Sequence, residues 1–329
     1  MADQDLRSAL NSKDKHSCYK IISTNLSGKA LINYIYEMLY ASASIIYSKK
    51  HNDKLILHPV CVINAIKNFI GDDKENPSKR LMKFAIDYLQ DFEFRIDDEE
   101  NLDKVLNKGI GKTVFVGEFE DACQDSDWEK AEILMSKIFL ASDRSRSILD
   151  TLAGLALQSV PKNGVFVYHL LRSFQFQENK NDSWTFIKCI FQQIKLNKLE
   201  NVHKSVEIIP DNIRKMVIQN GDIIVFSAID NIWNGDYVRI RGYRRELSYW
   251  LNEIRFDKSD KTNLIDEHFF IDFDRQSYVS LAERIINEKR TQSQKANSLI
   301  ILEAIRSLCK NIDVQGLSHI GSRFGHLLV

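Results

Sequence analysis

The 329-residue chain carries 45 Lys and Arg against 45 Asp and Glu, so its formal net charge is zero. That balance argues against a protein that grips nucleic acid or an anionic membrane by global charge. Hydrophobic residues at 44% exclude a disordered chain. Only 4 prolines and 13 glycines occur, where average usage would give about 16 and about 23. This scarcity of turn formers disfavours a many-stranded sandwich or barrel and predicts long helices with few joints.

In chain order, the first helical pattern covers residues 30–47. Leu31, Ile35, Met38, Leu39, Ser42 and Ile46 recur there at steps of three and four. His58 and Pro59 open a second helix, since proline fits a first helical turn. Its inward stripe is Val62, Ile66, Phe69 and Ile70, and Gly71 is expected to stop it. Asn76 and Pro77 repeat the start signal ahead of Leu81, Phe84, Ala85, Tyr88, Leu89 and Phe92. Residues 97–117, rich in charge and glycine, read as a connection with one extended piece at 113–116. Helical stripes then resume at Trp128–Phe139, Ile148–Ala156, Val165–Phe176 and Trp184–Ile194.

The last third begins near Lys198. Asn-Gly-Asp at 220–222 and again at 234–236 is a hairpin signal. Helices are preferred, because Ile240, Tyr243, Leu247, Trp250, Leu251 and Ile254 hold a helical period. In that reading Gly221 and Gly235 end helices, and Asp222 and Asp236 cap the next ones. The hairpin is the alternative for 220–243. Two final helices are expected at 277–288 and 294–310.

Segment 6–14, LRSALNSKD, is mirrored by FEDACQDSD at 119–127, and similar helical patterns follow each. The expected fold is therefore all-α with few short strands, a pseudo-repeated helical bundle. One unit spans 1–100 and a second 113–197, and a C-terminal helical region at 198–329 packs on them.

Cys18, Cys61, Cys123, Cys189 and Cys309 are odd in number, scattered and without CxxC. A disulfide framework and a structural zinc site are disfavoured. The N-terminal segment has no apolar signal region, and the apolar stretch 30–47 is interrupted by Glu37. A cytoplasmic protein that does not cross a membrane is expected.

Four constellations could carry chemistry. GIGKT at 109–113 looks like the end of a phosphate-binding loop, but position 106 is leucine and no buried strand precedes it. The acidic stretch 257–274 carries His268 among carboxylates and matches no metal-loop spacing, so a solvated loop is the plainer reading. In DYVRIRGYRRELSYW, Arg239, Arg241, Arg244 and Arg245 alternate with aromatics, a pattern suited to an anion or a partner. On a helix these arginines would share a polar face and could pair with Glu246 and Glu253. Finally, His58 and His169 fall in comparable apolar segments of the two halves. Converging on one cavity, they could act as catalytic imidazoles or metal ligands. His319 and His326 could join them. Taken singly, His58 reads as a helix cap and His169 as a packed, hydrogen-bonded histidine. No nucleophile elbow, dinucleotide fingerprint or kinase signature is present.

The segment HPVCVINAIKNFI (58–70) resembles the histidine-led helix starts of questin oxidase-like proteins and of helical modules attached to some Rieske proteins. That resemblance implies an all-helical fold and oxidative chemistry on a small organic substrate, with His58, and through the repeat His169, as the residues carried over. Further histidines near the N-terminus, usual in that family, have no match here. The leading expectation is a macromolecular interaction or scaffold module with a protein partner. The alternative is an oxidoreductase-like enzyme with a cavity lined by His58 and His169. Nucleic acid is disfavoured, a small molecule stays open, and no cofactor is specified.

Overall fold

Short polar side chains start several of the helices. In the computed structural model, which describes residues 5–48, 57–255 without Asp97, Lys112, Glu178 and Asn197, 275–311, and Ile320, the Asp5 carboxylate accepts the Ser8 N–H at 2.7 Å and opens α1 (Leu6–Asn11). Asp14 does the same for α2 (Lys15–Thr24), Ser78 for α5 (Lys79–Gln90) and Asp127 for α8 (Trp128–Ala141). Each cap satisfies an N–H that the first helical turn leaves unpaired. The other helices of the first two-thirds are α3 (Gly28–Ala43), α4 (Pro59–Asp72), α6 (Glu100–Lys108), α7 (Val116–Gln124), α9 (Ser147–Ala156), α10 (Val160–Gln175) and α11 (Ser183–Lys195). The last third holds α12 (Pro210–Asn220), α13 (Ile223–Trp233), α14 (Ile240–Glu253), α15 (Arg275–Asn287) and α16 (Gln292–Leu308). Among the described residues the only β pairing is one isolated bridge, Ile45 to Phe94. The all-α expectation holds, and residues 220–243 are helical rather than a hairpin.

At the centre, α4 packs against α3, α5, α10, α15 and α16. Every residue from His58 to Lys67 is buried, as are Phe69 and Ile70. A helix that is apolar all round has to sit inside a fold. Helices of all three sequence segments pack here or on α10, which also meets α13. One hydrophobic core runs from Leu6 to Ile320.

Several boundaries differ from the sequence reading, each for a local reason. Helix α3 ends at Ala43, so Ile46 is 47% exposed while Ile45 is fully buried. Arg95 takes the freed carbonyls, donating to Ala43 O at 2.9 Å and Ile45 O at 3.0 Å. Gly71 lies inside α4 rather than ending it. Ser78, not Asn76 or Pro77, starts α5, its hydroxyl accepting the Leu81 N–H at 3.1 Å. The presumed connection at 97–117 contains α6, whose inward stripe is only Leu102 and Val105. Helix α10 begins five residues before Val165, with Pro161 in its first turn. Gly221 and Asp222 end and cap helices as expected, but Asp236 caps nothing: α14 starts at Ile240, after a turn anchored by the buried Tyr237.

The likeness of 6–14 to 119–127 corresponds to a shared helix corner. Asp14 N donates to Ala9 O and Asp127 N to Ala122 O, both at 2.9 Å. The residues before them, Lys13 and Ser126, have φ of 56° and 61°. This left-handed residue closes a helix and lets an aspartate cap the next. Beyond the corner the histidines do not correspond: His58 is the N-cap of α4, whereas His169 lies deep inside α10.

Two glycines separate helix interior from helix end. A Cβ on Gly71 would meet nothing within 4 Å, whereas one on Gly221 would lie 2.8 Å from Val217 Cα. Gly71→Ala is expected to raise stability by about 0.5–1 kcal/mol. Gly221→Ala is expected to lower it by about 1–3 kcal/mol. Urea unfolding checks both, and a destabilised Gly71→Ala would restore glycine as the terminator of α4.

Candidate functional site

Three helices enclose a cleft of about 780 Å³. Helix α7 supplies Glu120, Asp121 and Gln124, and α9 supplies Thr151, Gly154 and Leu155. The third wall is the start of α14 with Val238 and Arg239 before it. Tyr243 locks that wall in place: it is fully buried, and its hydroxyl donates to Asp150 O of α9 at 2.8 Å. The turn after α9 is tied from two sides. Gln124 Nε2 donates to Gln158 Oε1 at 2.8 Å, and Trp250 Nε1 donates to Gln158 O at 3.1 Å. Helical spacing explains the wall, since Tyr243 and Leu247 point inward and leave Arg241 and Arg245 on the polar side.

Three of the four arginines singled out by sequence line this cleft: Arg239, Arg241 and Arg245. Arg239 donates to Glu120 across the cleft at 2.7 Å. Arg245 donates to Glu246 at 2.9 Å. Arg241 is exposed and has no hydrogen bond or ion pair to any described residue. The fourth, Arg244, belongs elsewhere: it donates twice to Trp233 O, at 2.8 and 3.1 Å, and lies over the Trp233 ring. There it satisfies a carbonyl at the end of α13.

One contributor escaped the sequence reading. His203 Nδ1 sits 2.7 Å from the second oxygen of Glu246, and its ring stacks on Tyr249 at 3.8 Å. Glu246 is 1% exposed, held between Arg245 and His203. A buried carboxylate so paired fixes the Arg245 side of the cleft. Nothing around His203 in the sequence pairs it with residue 246, since the contact depends on how the segment before α12 returns across α14.

His58 and His169 lie along the seam between α4 and α10, and neither lines the arginine cleft. Each is 3% exposed. His58 Nδ1 accepts the Val60 N–H at 3.2 Å, the cap role its position suggested. The proton of the neutral ring is therefore on Nε2, which lies 3.6 Å from Cys189 Sγ. His58 also meets the Phe166 ring at 5.1 Å. His169 Nδ1 pairs with Asn64 Nδ2 at 2.8 Å. Burial, with the Lys67 charge adding to it, pushes the His169 imidazole down to about 3. At neutral pH it is an uncharged, packed group.

Gly109 and Gly111 have φ of 79° and 81° and follow the end of α6, so GIGKT lacks the strand-before-helix setting of a phosphate loop. The acidic stretch 257–274, His319 and His326 lie outside the described residues. Among the described residues no three His, Cys, Asp or Glu side chains converge as metal ligands. All five cysteines are buried free thiols. No described helix is long and apolar enough to cross a membrane.

The buried imidazole has a pH consequence. Its folded value lies below its ordinary 6.5, so the unfolded chain binds the extra proton first, and stability is lost as pH falls from 6.5 toward 3. The slope from this group approaches about 1.4 kcal/mol per pH unit. His169→Gln is expected to flatten the acid limb of stability against pH by about that slope in urea unfolding at pH 4–7; parallel limbs for the two proteins would contradict it.

Comparison with protein-family models, curated proteins and solved structures finds no match for this chain.

Proposed function

We propose that the chain is a helical interaction module that binds an acidic segment of a protein partner in the cleft between α7, α9 and α14. The observation that carries this reading is Arg241, an exposed guanidinium in a built cleft with no partner among the described residues. Arg239 and Arg245 line the same wall but are already paired with glutamates. Apolar surface adjoins the charge: Val238 is 87% exposed and Val202 54% exposed, and both line the cleft. An arginine beside exposed aliphatic groups suits a peptide that alternates acidic and apolar residues, and arginine is enriched among residues that dominate interfaces. A chain of zero net charge reserves such attraction for this local feature. The free thiols support a reducing, cytoplasmic setting, and the matched corners at 6–14 and 119–127 support an internal duplication.

The alternative, an oxidoreductase-like enzyme working through His58 and His169, has less support. One imidazole is committed to a helix cap and the other to Asn64, in the interior of a packed seam.

Anisotropy of a labelled peptide alternating Glu with Leu and Phe tests the proposal. Arg241→Glu is expected to weaken binding by about tenfold or more, as loss of a charged hydrogen bond implies. Arg244→Gln, outside the cleft, is expected to leave it unchanged, and single-stranded DNA is expected not to compete. Equal loss in the two variants, or none with Arg241→Glu, would refute the cleft as the site.

A further inference from the structure

A second charged cluster lies apart from the cleft, where α4, α10 and α16 meet. Lys67 interrupts the apolar run of α4 and is only 9% exposed. Its ammonium has no hydrogen-bond acceptor or ion-pair partner among the described residues, and it lies 5.6 Å from the centroid of the Phe176 ring. A buried ammonium ordinarily needs a compensating anion. Carboxylates are near, but others hold them. Glu303 accepts from Arg306 at 2.6 Å and from Asn68 at 2.5 Å. Asp72 accepts from Arg306 through both oxygens, at 3.0 and 3.1 Å.

Arg172 lies one helical turn before Phe176 on α10, exposed, with one donor on Gln175 Oε1 at 2.8 Å. The charges of Arg172 and Arg306, as well as that of Glu303, act on Lys67, so cations outnumber carboxylates around it. One turn from Lys67, Asn64 is fully buried and its Oδ1 has no donor among the described residues.

We propose that Lys67 and Arg172 form a binding site for a small oxyanion, a phosphate or a carboxylate, at this end of the seam. The anion supplies the acceptor that Lys67 lacks, and Arg172, at the surface, offers the planar fork that matches phosphate or carboxylate oxygens. The electrostatics agree: burial, and after it the charge of Arg172, pushes the Lys67 ammonium down to about 7. A bound anion opposes both effects. His169, neutral at that pH, adds no charge of its own.

Calorimetric titration of the full chain with sodium phosphate, and separately with sodium acetate, at constant ionic strength tests the site. One-site saturation is expected with at least one of them. Saturation by phosphate alone assigns a phosphate ligand, and by acetate alone a carboxylate. Lys67→Met should abolish saturation, and Arg172→Gln, a change on the surface that leaves the core intact, should weaken it about tenfold. Arg241→Glu should bind as the unmodified chain does, which separates this site from the cleft. No saturation with either anion, or unchanged affinity in Arg172→Gln, would overturn the proposal even if Lys67→Met does not fold.

Discussion

The fold depends on the burial of α4. Its 14 residues, about 21 Å of helix at 1.5 Å per residue, contact five other helices and leave solvent almost no face. A segment so enclosed must satisfy every polar group from within, because water cannot reach it. That constraint explains the odd letters in its sequence. His58 caps its first turn, Asn64 reaches His169, Asn68 reaches Glu303, and Asp72 ends in a paired contact with Arg306. Among the described residues the Lys67 ammonium is left without an acceptor and Asn64 Oδ1 without a donor, and Lys67 is the one that carries charge.

Away from this centre the requirements relax. Helices α7 and α14 lie at the periphery, with one face on the core and the other free to carry charge. The arginine cleft forms where these outer faces meet α9. Its walls are held by neutral contacts, Tyr243 to Asp150 O and Trp250 to Gln158 O. Arg241 is therefore not needed for closure, and it stays exposed, with no partner among the described residues, without cost to the fold.

Much of this was legible in the sequence. The stripes of α8, α9 and α11 are wide and apolar, and their helices fall where the spacing puts them. Helix α6 was not legible, because two inward residues in nine make too narrow a stripe to stand out from a charged loop. Asp236 was misread because the local signal for a cap is the same whether or not a helix starts next; here the buried Tyr237 delays it. The arginine segment was recognisable as a charged face, but the division of labour within it depends on tertiary neighbours: Trp233 O claims Arg244 and Glu120 claims Arg239. His58 was readable as a cap from Pro59 alone. Lys67 was visible as a lone charge in VINAIKNFI, though only the structure shows that its neighbours' carboxylates are already occupied.

Native-state hydrogen exchange tests the central place of α4 most directly. Its amides, with those of the facing turns of α10, should exchange only through global unfolding, with protection that falls in denaturant as the whole protein's stability does. The amides of α7, on the cleft, should open locally and faster. Protection in α4 no greater than in α7 would contradict the account.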